Sequence, residues 1–195
     1  TRYTPPMAQS EIAVDTDLVI RRLTAADAGA LYALVDANKA YLARFMPWCS
    51  PAYSLDDSRK FIADGSAPEH LENTLAGGIY YGDALGGIVG LRGLKSLDRS
   101  GEIGYWLAEP LQGRGIVTRC CRKVIGEAFS KHGMNRVQLR AATDNTRSRA
   151  IAVRLGMTHE GTQREAGRDG DGRFHDLELY SVLAREWRQQ SARSG

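Results

Sequence analysis

Gln112-Gly113-Arg114-Gly115-Ile116-Val117-Thr118 joins a strand-like run, Glu102 to Leu107, to an amphipathic helix pattern that begins near Val117. Two glycines bare the backbone just ahead of that helix. The first N–H groups of a helix lack intrahelical partners, and its dipole presents partial positive charge there. Such a loop is built to hold a phosphate or diphosphate. Spacing separates the designs that do so. A P-loop needs Lys and then Ser or Thr after its last glycine, but Ile116 and Val117 follow Gly115. A dinucleotide turn, the mark of a nucleotide-dependent oxidoreductase, needs a third glycine where Thr118 stands and an acid about 20 residues on. Gln138 and Leu139 occupy that region.

Outward from the loop the pattern alternates between strand and helix periods. Upstream, Asp17 to Leu23 alternates as a strand, and Thr24 with Asp27 caps a helix whose stripe is Ala28, Leu31, Leu34 and Val35. A short helix from about Asn38 should stop before Pro47, and Ser54 should cap another that carries Phe61 and Ile62. Leu75 to Tyr81 and Leu85 to Leu91 flank Gly82-Asp83 as a hairpin. After the loop, Val117, Cys120, Cys121, Val124, Ile125, Ala128 and Phe129 recur on one helical face. A strand from Arg136 to Thr143, a helix from about Thr146 to Leu155, and strands near Thr158 to Arg168 and Phe174 to Leu183 complete the order. The strand–helix–strand unit around the loop should be parallel and the remainder mostly antiparallel, giving a mixed sheet flanked by helices.

Composition bounds the function. The chain has 195 residues, 43% apolar and 25% charged, enough for one core. We expect a flexible lead-in over residues 1–10, one domain over residues 11–190 and a flexible C-terminus over residues 191–195. No apolar run is long enough for a membrane span, and the first ten residues lack the apolar core of a signal peptide. A cytoplasmic location follows as an expectation. The net charge of +3 is scattered between acids, which does not argue for direct nucleic-acid binding. Cys49, Cys120 and Cys121 lack metal-ligand spacing and read as buried thiols, with no metal site expected.

A third loop design fits better. Gln or Arg, two residues, Gly, one residue, then Gly or Ala is the pyrophosphate loop of acyl-CoA-dependent N-acetyltransferases; Gln112 and Gly115 match it, and Val117 stands in the last slot. The chain resembles the GNAT acetyltransferases and, within them, the RimJ/RimL-like ribosomal-protein N-acetyltransferases. The resemblance covers most of the chain. Lys39-Ala40-Tyr41-Leu42 through Pro47-Trp48, Gly101 to Leu107, the Gln112 loop, Asn145-x-x-Ser148, Leu155-Gly156-Met157 and Asp176-x-x-x-Tyr180 carry it. It implies an α+β GNAT fold in which two central parallel strands splay apart. It also implies acetyl-CoA as cosubstrate and a homodimer. The coenzyme's diphosphate would lie on Gln112, Gly113, Arg114, Gly115, Ile116, Val117 and Thr118. Its pantetheine would lie along the strand edge at Trp106 and Leu107 and near Asn145.

Within that resemblance the chemistry is attack of an amine on a thioester. The amine must lose a proton, the oxyanion must be stabilised, and the leaving thiolate must gain a proton. An α-amine of pKa near 8 needs roughly 1 kcal/mol to be neutral at pH 7, a lysine roughly 4 to 5 kcal/mol, so a protein N-terminus demands only a weak base or water. Ser148 matches the position of the family's proposed acid and is also what a first helical turn favours for backbone reasons. Glu102 shares a strand face with Gly104 and Trp106 and is the candidate base, a structural ion pair being the alternative. The family's proposed base falls at Gly167, leaving Glu165 and His175 as nearby substitutes. Arg114 and Arg119 flank the loop and are candidates for the coenzyme's phosphates, or solvated arginines. Tyr41, Phe45, Trp48, Tyr105 and Trp106 either line the acceptor pocket or fill the core. The acceptor could be the N-terminal α-amine of a ribosomal protein or a small-molecule amine. A longer acyl group such as succinyl would need an arginine at the thioester end. A non-catalytic acyl-CoA sensor is the reading from another class.

Overall fold

The computed structural model describes residues 11–193; the expected lead-in, residues 1–10, and the last two residues lie outside the described residues. Strands β1 (Glu11–Ala13) and β2 (Leu18–Arg21) precede helices α1 (Ala28–Ala37), α2 (Lys39–Ala43), α3 (Leu55–Gly65) and α4 (Pro68–Asn73). Strands β3 (Thr74–Tyr81), β4 (Ala84–Arg92) and β5 (Ser100–Leu107) follow, then α5 (Ile116–Lys131), β6 (Arg136–Ala142) and α6 (Thr146–Arg154). The chain closes with β7 (Thr158–Arg168), β8 (Phe174–Leu183) and α7 (Ala184–Arg193). The sheet order is β1-β2-β3-β4-β5-β6-β8-β7, with β5 and β6 its one parallel pair. The fold is thus the mixed, mostly antiparallel sheet expected. Among the described residues no helix is long and apolar enough to cross a membrane.

The local signals act as read. Asp57 Oδ2 accepts from the Ser54 N–H at 2.8 Å and fixes the start of α3. Gly82 takes φ +59° in the β3–β4 turn. Three elements went unread: β1, α4, whose start is Pro68 after Ala67, and α7, where Glu186 Oε2 accepts from the Leu183 N–H at 3.0 Å.

Two cores form, one on each sheet face. Val124, Ile125 and Ala128 of α5 pack with Val137, Leu139, Leu155 and Val182. On the other face Leu31, Val35 and Leu42 pack with Ile88 and Trp106. The alternation of β5 divides these faces: Ile103 and Tyr105 turn toward α5 and α6, Trp106 toward α1 and α2.

Candidate active site

The parallel pair shares only three register positions, Ser100 with Arg136, Gly101 with Val137 and Glu102 with Gln138. Beyond them β5 runs to Leu107 and β6 to Ala142 without pairing to each other. The strands splay there and leave edge N–H and C=O groups facing a gap. A cleft of about 1470 Å³ passes through it, lined by the 112–118 loop, Tyr105, Ser148 and, at the other end, Trp48 and Phe61.

The loop leaves β5 through a 3-10 turn, Glu109–Leu111. Gly113 and Gly115 then take φ +78° and +71°, backbone that side chains rarely adopt, and a Cβ at either would meet nothing within 4 Å. Open space above two left-handed glycines is a cradle that added side chains would fill. Gly115 is the residue that precedes α5, so the free N–H groups of the first helical turn border that cradle. Ile116 and Val117 point inward, 1% and 8% exposed, which gives the departure at Val117 a packing role. Gln112 shapes the loop: its Nε2 donates to the Leu107 carbonyl at 3.1 Å, and its Oε1 accepts from Arg147. Trp106 serves as wall, its ring 6.1 Å from that of Trp48.

Of the two flanking arginines, Arg119 is committed elsewhere. It pairs with Asp15 and lies 3.7 Å from Asp17, across the β1–β2 turn, which removes it as a phosphate ligand. Arg114 is exposed. Two arginines of α6 reach the loop instead: Arg147, on Gln112, and Arg154, whose Nε donates to Thr118 Oγ1 at 3.4 Å. Their helical spacing was visible, but not that α6 leans on the loop.

Asn145 caps α6, its Oδ1 accepting from the Ser148 N–H at 3.1 Å. Ser148 Oγ then lies 2.8 Å from the hydroxyl of Tyr105, which also reaches the Ser148 carbonyl at 3.4 Å. Burial pushes the Tyr105 phenol far above its ordinary pKa, so it stays protonated. In the sequence Tyr105 is one of several aromatic residues that suit a pocket or a core; only the fold joins two hydroxyls 43 residues apart.

Glu102 lies at the floor of the cleft, where the splay begins. Burial would raise its pKa, but bonds from Arg140 at 3.0 and 3.1 Å, Gln138 at 3.1 Å and Arg92 at 2.9 Å outweigh it, and the net shift is downward. A carboxylate so held accepts a proton poorly, and this geometry is that of an ion-pair centre. At Gly167 a Cβ would stand 2.7 Å from the Leu177 side chain, so no acidic side chain fits there without a shift. Glu165 lines the cleft at φ +50°, its N–H donating to Asp176 Oδ1 at 2.8 Å. His175 also lines it, with Nε2 buried and without a hydrogen-bond partner among the described residues. The three cysteines are free and buried, and burial raises the Cys120 thiol to about 12, so these are inert core thiols.

The described sheet is split at its β5–β6 parallel pair, with two left-handed glycines at the start of α5 on one side of the split and the Ser148 hydroxyl lining the cleft. The chain belongs to the GNAT acetyltransferase family: the family profile described as acetyltransferase (GNAT) domain matches residues 17–158. It is 36% identical over 175 residues to YdaF of Bacillus subtilis (strain 168), named as a provisional ribosomal N-acetyltransferase, with 89% of this chain and 95% of that one covered. Among solved structures it is similar to the microcin C7 self-immunity acetyltransferase MccE in complex with acetyl-CoA and AMP. The identity there is 29% and the TM-score 0.83, with 91% of this chain and 98% of that one covered. It is also similar to RimL, the ribosomal L7/L12 α-N-protein acetyltransferase, in complex with coenzyme A. That match has 25% identity and a TM-score of 0.82 over 89% and 97% of the two chains. The protein is an N-acetyltransferase.

Proposed function

We propose that the protein moves the acetyl group of acetyl-CoA directly onto the N-terminal α-amine of a ribosomal protein. The observation that carries this reading is the size of the cleft: at about 1470 Å³ it exceeds the roughly 300–1,000 Å³ of an ordinary small-ligand pocket and can seat a coenzyme arm and a chain end together. RimL supports it, as an α-N-protein acetyltransferase with coenzyme A in the same fold. In this mechanism the Gln112 loop holds the diphosphate and the bare edge of β5 aligns the pantetheine. Ser148 then gives its hydrogen to the leaving sulfur. The α-amine loses its proton to water, since only about 1 kcal/mol separates it from the neutral form at pH 7. An acceptor on the ribosome places the enzyme in the cytoplasm.

Intact-mass measurement of peptides with ribosomal N-termini, incubated with acetyl-CoA and enzyme, tests this. One acetyl group on the α-amine is the expected product. Bound CoA without any acetylated amine would instead mark an acyl-CoA sensor. A second reading, a small-molecule amine bearing a planar ring, is favoured by Trp48, Phe61 and Phe174, which line the cleft at 41%, 49% and 63% exposure, and by the AMP in the MccE complex. Small amines with nucleoside rings belong in the same mass screen. A succinyl donor would need a cation near the thioester. Arg92 and Arg140 on the cleft floor already bind Glu102.

A further inference from the structure

We infer that Tyr105 is a positioning residue for the transfer: its hydroxyl donates to Ser148 Oγ and thereby turns the serine's own hydrogen toward the departing sulfur. This inference rests on Ser148 as the acid of the proposed mechanism. The serine hydroxyl has one hydrogen to give and two sites at which to accept. Were Ser148 to donate to Tyr105, across their 2.8 Å contact, that hydrogen would be consumed inside the protein. With Tyr105 as donor it stays available. The rest of the local geometry holds Ser148 from both sides. Asn145 Oδ1 takes its N–H at 3.1 Å while Tyr105 meets its Oγ at 2.8 Å, so the first turn of α6 is anchored to β5 at the throat of the cleft.

Tyr105 keeps its proton through the cycle, because burial disfavours the phenolate. In the transfer the C–N bond forms and the C–S bond breaks, with the electron pair leaving on sulfur. The Ser148 hydrogen passes to sulfur, and the proton shed by the acylated nitrogen returns to Ser148 Oγ through water. Free thiol and amide leave, and both hydroxyls are as they began.

A double-mutant cycle separates positioning from packing. Tyr105→Phe keeps the ring and removes only the hydroxyl. CoA thiol release is measured with acetyl-CoA and the best acceptor of the mass screen, for the intact protein, Tyr105→Phe, Ser148→Ala and the double variant, with CoA affinity and melting temperature recorded for each. We expect Tyr105→Phe to lower kcat about tenfold with KM for acetyl-CoA unchanged, and to have no further effect once Ser148 is Ala. Full kcat in Tyr105→Phe, or an equal loss in both backgrounds, would overturn the inference while leaving Ser148 in place. Wild-type kcat in Ser148→Ala would instead remove the reading beneath it.

Discussion

Gly104→Val should make this protein more stable and less active. Gly104 sits in the middle of β5, opposite Gly90, on the cleft-facing side that also carries Glu102 and Trp106. A Cβ built there meets nothing within 4 Å. Steric crowding therefore does not require the glycine, yet glycine inside a strand costs about 0.5–1 kcal/mol relative to alanine, and a β-branched residue suits a strand better still. Open space over an interior strand glycine that lines a cleft leaves room for a ligand to approach. The valine should stabilise by about 0.5–1 kcal/mol, which for a domain of this size raises the melting temperature by about 1–4 °C. If the acceptor of the proposed reaction rests on this floor, the two added methyl groups fill its place, so the acceptor KM should rise at least about tenfold, a loss of about 1.4 kcal/mol, while CoA affinity is unchanged. Thermal melts, steady-state kinetics and a CoA titration on the same preparation provide the readouts. The neighbouring glycine is the contrast. A Cβ at Gly90 would stand 2.8 Å from the Ala76 Cβ, so Gly90→Val should lose stability. Unchanged turnover in a stabilised Gly104→Val would refute the acceptor floor, and a lower melting temperature would refute the argument from space.

Two other substitutions test the charges. Glu102→Gln should leave the shape of the pH–rate profile intact, because in the proposed mechanism the amine sheds its proton to water, and should cost about 1–3 kcal/mol in stability through its lost charged bonds to Arg92 and Arg140; a changed acidic limb with retained stability would restore Glu102 as the base. Bonds from Arg136 and Ser181 hold Glu160 down at about 2, so its contribution is complete above the ordinary carboxylate value of 4.5 and is lost as pH falls from there through about 2. Screened by solvent, that contribution is about 0.2–1 kcal/mol. The melting temperature of Glu160→Gln should therefore lie below that of the intact protein at pH 6 and converge on it toward pH 2, and a gap that persists in acid would contradict the assignment.

Elements that carry their own periodicity were legible. β7 and β8 span the residues expected, and α5 begins at Ile116, one residue before Val117. The glycine turn ahead of α5 could be read because its demand is local: a left-handed backbone at Gly113 and Gly115. β1 is three residues long, too short for alternation to register, and α4 and α7 are mostly polar helices without a long apolar stripe. Pairings across the fold left no trace in the chain. Arg119 looked like a phosphate ligand until the turn after β1 brought Asp15 to it, 104 residues away, and Glu102 looked like a base until Arg92, Gln138 and Arg140 closed on it. Tyr105 and Ser148 meet because α6 leans on the far side of β5, a matter of packing that neither segment encodes alone.

Isothermal titration of coenzyme A into the intact protein and into Gly115→Ala bears most directly on the cradle at the tip of α5. Alanine at φ +71° strains the backbone by roughly 1–2 kcal/mol and places a methyl group where the diphosphate would lie. The account predicts saturable binding to the intact protein, at least about tenfold weaker in the variant. No binding to the intact protein, or equal affinity in both, would contradict it.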